Sequence, residues 1–407
     1  MRILFIHQNF PGQFVHLAPA LAARGHTVVA LTINGTASSG VQVLRYQPQR
    51  GSTPEIHPWV VDFETKTIRG EACAQAMHEL RQQGFVPDVV IAHPGWGEAL
   101  FVKDIFPQAR LVCFLEYAYR AQGADVGFDQ EFEQTDWQSD ARIRLKNTTN
   151  LLTLDALSER DVAYAPTHWQ KSSQPAVYHD KIEVIHDGID TEMIRPDAAT
   201  RVTVKTDLGE RVLTVGDEIV TFVNRNLEPY RGYHIFMRAL PKLQKQRPDA
   251  LTIIVGGDQL SYGKAAPEGK SWKQVFLEEV GDQLDMSRIL FTGALPYDAY
   301  QKILRISACH VYLTYPFVLS WSMLEAMSTS CLLVASDTAP VREVITHGKN
   351  GLLVDFFDHA ALANTISDVL AYPQAYQHLR QAARKHVIEH YDLNTVCLPQ
   401  QIALVEG

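Results

Sequence analysis

The chain contains no G-x-G-x-x-G turn and no G-x-x-x-x-G-K-[ST] loop, which removes most of the case for a nicotinamide dehydrogenase or a P-loop NTPase. D-x-D is absent throughout, so a carboxylate clamp for a divalent metal has no support. Cysteine is scarce: Cys73, Cys113, Cys309, Cys331 and Cys397 are scattered, odd in number and never form C-x-x-C. That pattern excludes a disulfide framework and reads as buried free thiols in a reducing compartment. No run approaches the roughly 18 apolar residues of a membrane span, and the apolar stretch at Met1–His7 is too short for a secretion signal. A basic excess is missing as well. Lys and Arg total 37 against 46 Asp and Glu, a formal charge of -9, which argues against a dedicated nucleic-acid binder. Neither a repeat of solenoid period nor a low-complexity tract is present. The expected setting is the cytoplasm, compatible with peripheral association at the inner face of a membrane.

What is present is the composition of a folded globular protein: 407 residues, 46% hydrophobic and 20% charged, long enough for two or three domains. Short, continuously apolar runs predict parallel strands covered on both faces. They fall at Ile3–Ile6, Thr27–Thr32, Val41–Tyr46, Val89–Ala92, Leu111–Leu115, Val162–Ala165 and Ile182–Ile185, with helices over 13–23, 71–83 and 142–155 between them. A second series starts afresh at Ile219–Val223 and continues through Leu251–Val255, Ile289–Thr292, His310–Thr314 and Leu332–Ala335. The expected fold class is α/β, with two Rossmann-like doubly wound domains facing a cleft. The boundaries are 1–195 for the first domain, 196–216 for a polar, aperiodic hinge, 217–385 for the second domain, and 386–407 for a C-terminal helix returning to the first. In open parallel sheets, ligands sit beyond the carboxyl ends of the strands, so the loops there are where function belongs.

In the first half, the loop His7–Gly12 offers Gly12 for close backbone approach. His93, in Ala92-His-Pro-Gly-Trp-Gly-Glu98, ends a strand; ligand contact and a structural turn histidine weigh equally. His57 and Trp59 occupy a long loop, as a sugar platform or as a buried anchor for that loop. In the second half, Arg225 ends a strand and Arg231 precedes Gly232 and a helix. Two guanidiniums so placed suit a diphosphate; the alternative is a surface pair salt-bridged to Glu228. The turn Leu319–Ser322 leads into a helix whose free amides form an anion site. Glu325 follows, either as a helix-capping carboxylate or as a grip on ribose hydroxyls. His386-Val-Ile-Glu-His390 spells H-x-x-E-H, but no third ligand is recognisable.

Several stretches together carry a family likeness. They are Asn224-Arg-Asn-Leu-Glu-Pro-Tyr-Arg-Gly232, Val184-Ile-His-Asp-Gly-Ile-Asp190, Gly256-Gly-Asp258, Leu324-Glu-Ala-Met327 and Gly348-Lys-Asn-Gly-Leu-Leu-Val354. With these the chain resembles the retaining, GT-B-fold, nucleotide-sugar glycosyltransferases of family 4 over nearly all its length. The resemblance implies that Arg225 and Arg231 hold the donor diphosphate and Glu325 the ribose. It also implies that Asn224, Gly12, Gly257 and the main chain of Leu319, Ser320, Trp321 and Ser322 line the donor, with 255–258, 291–295 and Ile303 framing the base. His57, Trp59 and His93 would meet the acceptor. No metal or other cofactor is expected; the donor is a nucleoside-diphosphate sugar and the acceptor a glycan, lipid-linked or small molecule. Two departures stand out. The first glutamate of the family's Glu-x7-Glu pair is Phe317 here, and the histidine that follows the Leu111–Leu115 strand in many members is absent, leaving Glu116 either as its replacement or as a structural carboxylate. The runner-up readings are a nucleotide-sugar epimerase or hydrolase and a non-catalytic nucleotide-sugar binder.

Overall fold

A computed structural model describes residues 1–206 and 209–407. The chain divides into two units. The first comprises Met1–Phe128, Glu133–Gly188 and Asn394–Gly407, and the second Asp129–Phe132 and Ile189–Leu393.

The first unit is built on seven strands: β1 (Arg2–Ile6), β2 (Thr27–Thr32), β3 (Val41–Arg45), β4 (Val89–Ala92), β5 (Arg110–Phe114), β6 (Val162–Ala165) and β7 (Ile182–Val184). They form one sheet in the order β3-β2-β1-β4-β5-β6-β7, every pair parallel. Ile3, Leu4, Phe5 and Ile6 are all fully buried because both faces are covered. Leu4 and Ile6 pack into one core with Cys73, Met77 and Leu111, whereas Ile3 and Phe5 pack into another with Phe14, Leu21 and Tyr164. The helices are α1 (Leu17–Ala23), α2 (Val61–Gln82), α3 (Val102–Ile105), α4 (Trp137–Lys146), α5 (Thr148–Asp155) and α6 (His168–Ser173). The helix expected at 71–83 thus starts ten residues earlier, and the one expected at 142–155 is two helices joined at Asn147.

The second unit opens with an antiparallel hairpin, β8 (Arg201–Thr206) and β9 (Gly209–Thr214). This corrects the expectation of an aperiodic hinge at 196–216. Val202 and Val204 alternate inward against the second core, so the segment is a strand pair of this unit; Asp207 and Leu208 lie outside the described residues. Six strands follow, β10 (Ile219–Asn226), β11 (Leu251–Gly257), β12 (Ile289–Gly293), β13 (Cys309–Tyr312), β14 (Leu333–Ser336) and β15 (Leu352–Val354). Their order is β12-β11-β10-β13-β14-β15, again wholly parallel. The helices are α7 (Tyr233–Gln246), α8 (Trp272–Val280), α9 (Tyr297–Ile306), α10 (Trp321–Ser328), α11 (Ala339–Arg342), α12 (His359–Ala371), α13 (Gln377–Tyr391) and, back in the first unit, α14 (Leu398–Glu406). The C-terminal stretch expected as one helix from 386 is therefore broken, with α13 ending in the second unit. In the first unit Glu406 of α14 accepts a two-pronged pair from Arg24 at 2.7 Å.

Both sheets reverse strand direction of winding once, between β1 and β4 in the first and between β10 and β13 in the second. In doubly wound sheets the crevice at that reversal, on the carboxyl side, takes the ligand. It is there that His7 and His93, and in the other unit Asn224, Arg225 and Thr314, leave their strands. Among the described residues no helix is long and apolar enough to cross a membrane.

Candidate active site

At the reversal point of the second unit, β10 runs three residues past its apolar core and delivers Asn224 and Arg225 to the loop edge. The Arg225 side chain is exposed and makes no hydrogen bond or ion pair with any described residue. A short turn, Pro229–Arg231, then brings Arg231 back under the loop after β13. Gly232 makes the return, at φ +70°, and a Cβ there would lie 2.3 Å from Cβ of Leu313. The approach of turn and strand requires glycine.

Arg231 is 5% exposed. Its Nη1 donates to Thr314 Oγ1 at 2.7 Å and to the Val318 carbonyl at 2.9 Å. The guanidinium carbon lies 5.1 Å from the ring centre of Tyr262 and 5.8 Å from that of Phe317. These partners are neutral: an alcohol, a carbonyl and aromatic faces. Glu228, the carboxylate expected to neutralise the arginines, does something else. It is buried and its Oε2 accepts the amides of Tyr262 and Gly263 at 3.2 Å, which fixes the loop that places Tyr262. The surface-ion-pair reading of Arg225 and Arg231 is thereby corrected. A buried cation without a counter-charge is costly, by several kcal/mol once solvent relaxation is included, and a bound anion removes that cost.

Phe317 stands where the family has its first glutamate. It packs edge-on against Tyr230 at 5.1 Å and against Tyr262 at 5.3 Å. The residue that would have offered a carboxylate is instead part of the aromatic support for Arg231.

The helix start that was expected to present free amides is partly committed. The Ser320 amide donates to Tyr312 Oη at 2.8 Å, and the Ser322 amide donates to Ser320 Oγ at 3.3 Å. Leu319 is half-buried, packed against the core, and Trp321 is 38% exposed. Glu325 is not a cap, since Ser320 holds that position. Its carboxylate is 5% exposed and receives hydrogen bonds from Tyr297 Oη at 2.5 Å and Tyr300 Oη at 2.6 Å. Burial pushes its pKa up, opposed by the two tyrosine hydroxyls. The ribose-gripping role thus requires oxygens already occupied by tyrosines, each of which retains a second lone pair.

Gly257 lies against Asn226, whose Oδ1 is 2.6 Å from where a Cβ would fall. Close by, a cleft of about 500 Å³ is lined by Asp258, Lys270, Ser271, Lys273 and Gln274. Lys273 sits 4.6 Å over the ring of Phe291. Ile303, expected beside the base, is a core residue at 4% exposure.

The first unit carries a separate cluster at its own reversal point. The Asn9 amide donates to His7 Nδ1 at 3.1 Å, so the neutral ring holds its proton on Nε2 and donates to Gln13 Oε1 at 2.7 Å. Burial pushes the His7 pKa down to about 4. Gly12, at φ +48°, is packed against this ring, and a Cβ there would be 2.2 Å from Cε1. Gly12 therefore supports His7. His93 follows the same logic: the Gly95 amide donates to Nδ1 at 3.2 Å, leaving Nε2–H to face Glu116 Oε2 at 3.2 Å. Trp96 stacks on His93 at 4.0 Å and meets His7 edge-on at 4.9 Å. Glu116 has 35% of its side chain exposed, and its main-chain carbonyl accepts from Gln170 Nε2 at 2.6 Å. The structure thus joins His93 to Glu116 and adds His7, Gln13 and Trp96. None of these three was singled out from the sequence, although each follows a strand end or its turn.

His57 and Trp59 stand apart from that cluster. His57 is exposed and Trp59 half-buried, so the buried-anchor reading fails. They form an aromatic group with Trp137, whose ring lies 6.1 Å from that of Trp59.

Among the described residues one trio could approach a metal, Asp129, Glu131 and His234 in the second unit. Glu131 is engaged in two hydrogen bonds from Arg238, at 2.6 and 2.8 Å, and Asp129 accepts from Tyr315 Oη at 2.9 Å. Those contacts describe an ion-paired segment anchor. His386 and His390 are not part of any such group.

Comparison with known proteins agrees with this geometry. Residues 24–194 match the family model for the glycosyl transferase family 4 group, and residues 205–386 match glycosyl transferases group 1. A GDP-mannose-dependent alpha-(1-6)-phosphatidylinositol monomannoside mannosyltransferase of Mycolicibacterium smegmatis is 26% identical over 53% of this chain and 53% of its own length. The chain thus spans about half of that relative. Glycogen synthase of Mycobacterium tuberculosis is 25% identical over 97% of this chain and 92% of its own. In fold, the chain is similar to Anabaena HepE, crystallised with UDP, with a TM-score of 0.65 at 17% identity over 99% of this chain and 98% of that one. The two matched models lie end to end on two parallel doubly wound sheets, and the chain belongs to the GT-B-fold glycosyltransferases of the family 4 type.

Proposed function

We propose that this protein is a retaining glycosyltransferase that moves a sugar from a nucleoside-diphosphate sugar to a glycan, lipid-linked or small-molecule acceptor without a metal. The observation that carries the reading is Arg231, buried in the turn after β10 and held by Thr314, Val318, the Tyr262 hydroxyl and aromatic faces, with Arg225 exposed beside the same loop. Fixed positive groups at the place where a leaving diphosphate gains charge supply electrostatic stabilisation without reorganisation. Among the described residues no carboxylate pairs with the guanidinium, which leaves its charge available to an anionic ligand. The names of the relatives, one using GDP-mannose and one seen with UDP, support a nucleoside-diphosphate donor and leave the base open.

Attack from the face of the departing diphosphate, with a diphosphate oxygen taking the acceptor's proton, requires no general base beside the donor. The His93–Glu116 pair of the first unit offers a carboxylate that accepts from a sugar hydroxyl. The test is product analysis. Incubation with nucleoside-diphosphate sugars and candidate acceptors in excess EDTA should release nucleoside diphosphate in step with glycoside, and NMR of the new bond should show the donor's anomeric configuration. Inverted product or a strict requirement for divalent metal contradicts the mechanism. Diphosphate release that never depends on acceptor, or sugar interconversion alone, identifies a hydrolase or epimerase instead.

A further inference from the structure

Helix α4 is unlike the other long helices of the first unit in burying none of its ten residues. Trp137, at its start, is 70% exposed. Residues four apart share a helix face, so Trp137, Ala141 and Leu145 form one apolar stripe. Arg144 flanks the stripe on one side and Arg142 on the other, with Lys146 further round the helix. All three cations are exposed, and neither arginine side chain has a hydrogen bond or ion pair with a described residue. Lys146 rests 4.3 Å over the ring of Tyr119. Of the neighbouring acids, Asp136 caps the helix through the Ser139 amide at 2.8 Å and Asp62 pairs with Lys66 at 2.8 Å, while Asp140, one turn before Arg144, has an Oδ1 with no hydrogen-bond partner among the described residues. Trp59 packs edge-on against Trp137, and Val61 beside it is exposed as well. On the next helix Leu152 is 50% exposed.

We propose that this face, carried by Trp137, Trp59, Arg142 and Arg144, docks the protein on an anionic phospholipid bilayer. Indole rings settle at the boundary between headgroups and acyl chains, and a short helix with an apolar stripe edged by cations lies in that plane. The choice of an anionic surface rests on charge. In a chain with a net charge of -9, α4 carries three cations, Arg142, Arg144 and Lys146, against one acid, Asp140. The inference does not depend on the transfer reaction, since vesicle binding is measured without donor or turnover.

The experiment is sedimentation of the full chain with vesicles of phosphatidylcholine alone or mixed with phosphatidylglycerol, with tryptophan emission followed in parallel. Binding is expected on the anionic vesicles only, with a blue shift, and it should disappear in 1 M salt, where the screening length is about 3 Å. Each basic residue near such a surface contributes about fivefold to partitioning. Arg142→Gln with Arg144→Gln should therefore weaken binding roughly 20-fold, and Trp137→Ala should abolish most of the blue shift. The altered side chains are exposed, and unchanged nucleotide binding and melting temperature would confirm that the variants are folded. No sedimentation at low salt, equal binding by wild type and variants, or a Trp137 response to soluble oligosaccharide but not to vesicles overturns the proposal. The last outcome would make the aromatic group a sugar platform.

Discussion

Arg225→Ala and Arg231→Ala each lower turnover on the order of 100-fold or more, the loss that follows removal of a positioned electrostatic donor. The two variants differ in everything else. Arg231 is buried and bonded to Thr314 and Val318, so its removal leaves an alcohol and a carbonyl unpaired, at a cost of about 1–3 kcal/mol for each buried group. A fall in melting temperature accompanies the loss of rate. Arg225 has no hydrogen-bond or ion-pair partner for its side chain among the described residues, and its alanine variant should melt as the wild type does while losing both turnover and affinity for nucleoside diphosphate. Arg231→Lys separates charge from geometry, since a lysine keeps the charge but lacks the fork that reaches two acceptors from one nitrogen plane. Steady-state rates with melting curves check all three. If both alanine variants turn over near the wild-type rate, the diphosphate is not held here.

Glu98→Gln produces the second large effect, on stability and not on the donor. Glu98 is 1% exposed in the turn after His93, and neither carboxylate oxygen is hydrogen-bonded by another residue. Burial pushes its pKa up from 4.5 to about 7, against smaller pulls from Arg69, His93 and Lys66. Between those two pH values the folded chain keeps a proton that the unfolded chain has released. Stability therefore falls as pH rises through that window and stays low above it. A gap of that size corresponds to about 3 kcal/mol. Glutamine has the same shape and no charge, so Glu98→Gln should be more stable than wild type at pH 8 by about that amount and nearly equal to it at pH 4.5. Urea denaturation at the two pH values decides. A variant that is equally or less stable at pH 8 would mean that the ionised carboxylate is paired in solution.

The strands were legible because parallel sheets covered on both faces leave few polar positions inside a strand. Ile3–Ile6 reads as an unbroken apolar run and Leu251–Val255 as one interrupted only by Thr252, and both stand within a residue or two of their expected limits. The helix α2 was legible only in its second half. Its first turns, Val61-Asp-Phe-Glu-Thr-Lys-Thr, carry β-branched residues and no side-chain cap, and tertiary packing outweighs that weak propensity. The hairpin 201–214 was misread because its inward valines alternate with residues as polar as any loop's. Within the site, Arg225, Arg231, His93 and Glu116 were legible because each follows a strand end. Their partners were not. Trp96 on His93, and Tyr262 and Phe317 on Arg231, are contacts made by folding, and no local pattern announces them. The absent glutamate at 317 could be seen in the sequence, whereas its consequence, a neutral cradle for a buried cation, could be seen only once Tyr230, Tyr262 and Thr314 were brought around it.

Binding of a nucleoside diphosphate by the arginines of the second unit, without a metal, is read out by thermal denaturation of the full chain in EDTA with UDP, GDP, ADP, CMP and NAD added separately. A ligand present at 100 times its dissociation constant stabilises the folded state by about 2.7 kcal/mol. The account predicts a clear rise in melting temperature with one nucleoside diphosphate, which names the base, and no rise with that ligand for Arg225→Ala. No shift with any diphosphate, or a shift with NAD alone, would contradict it.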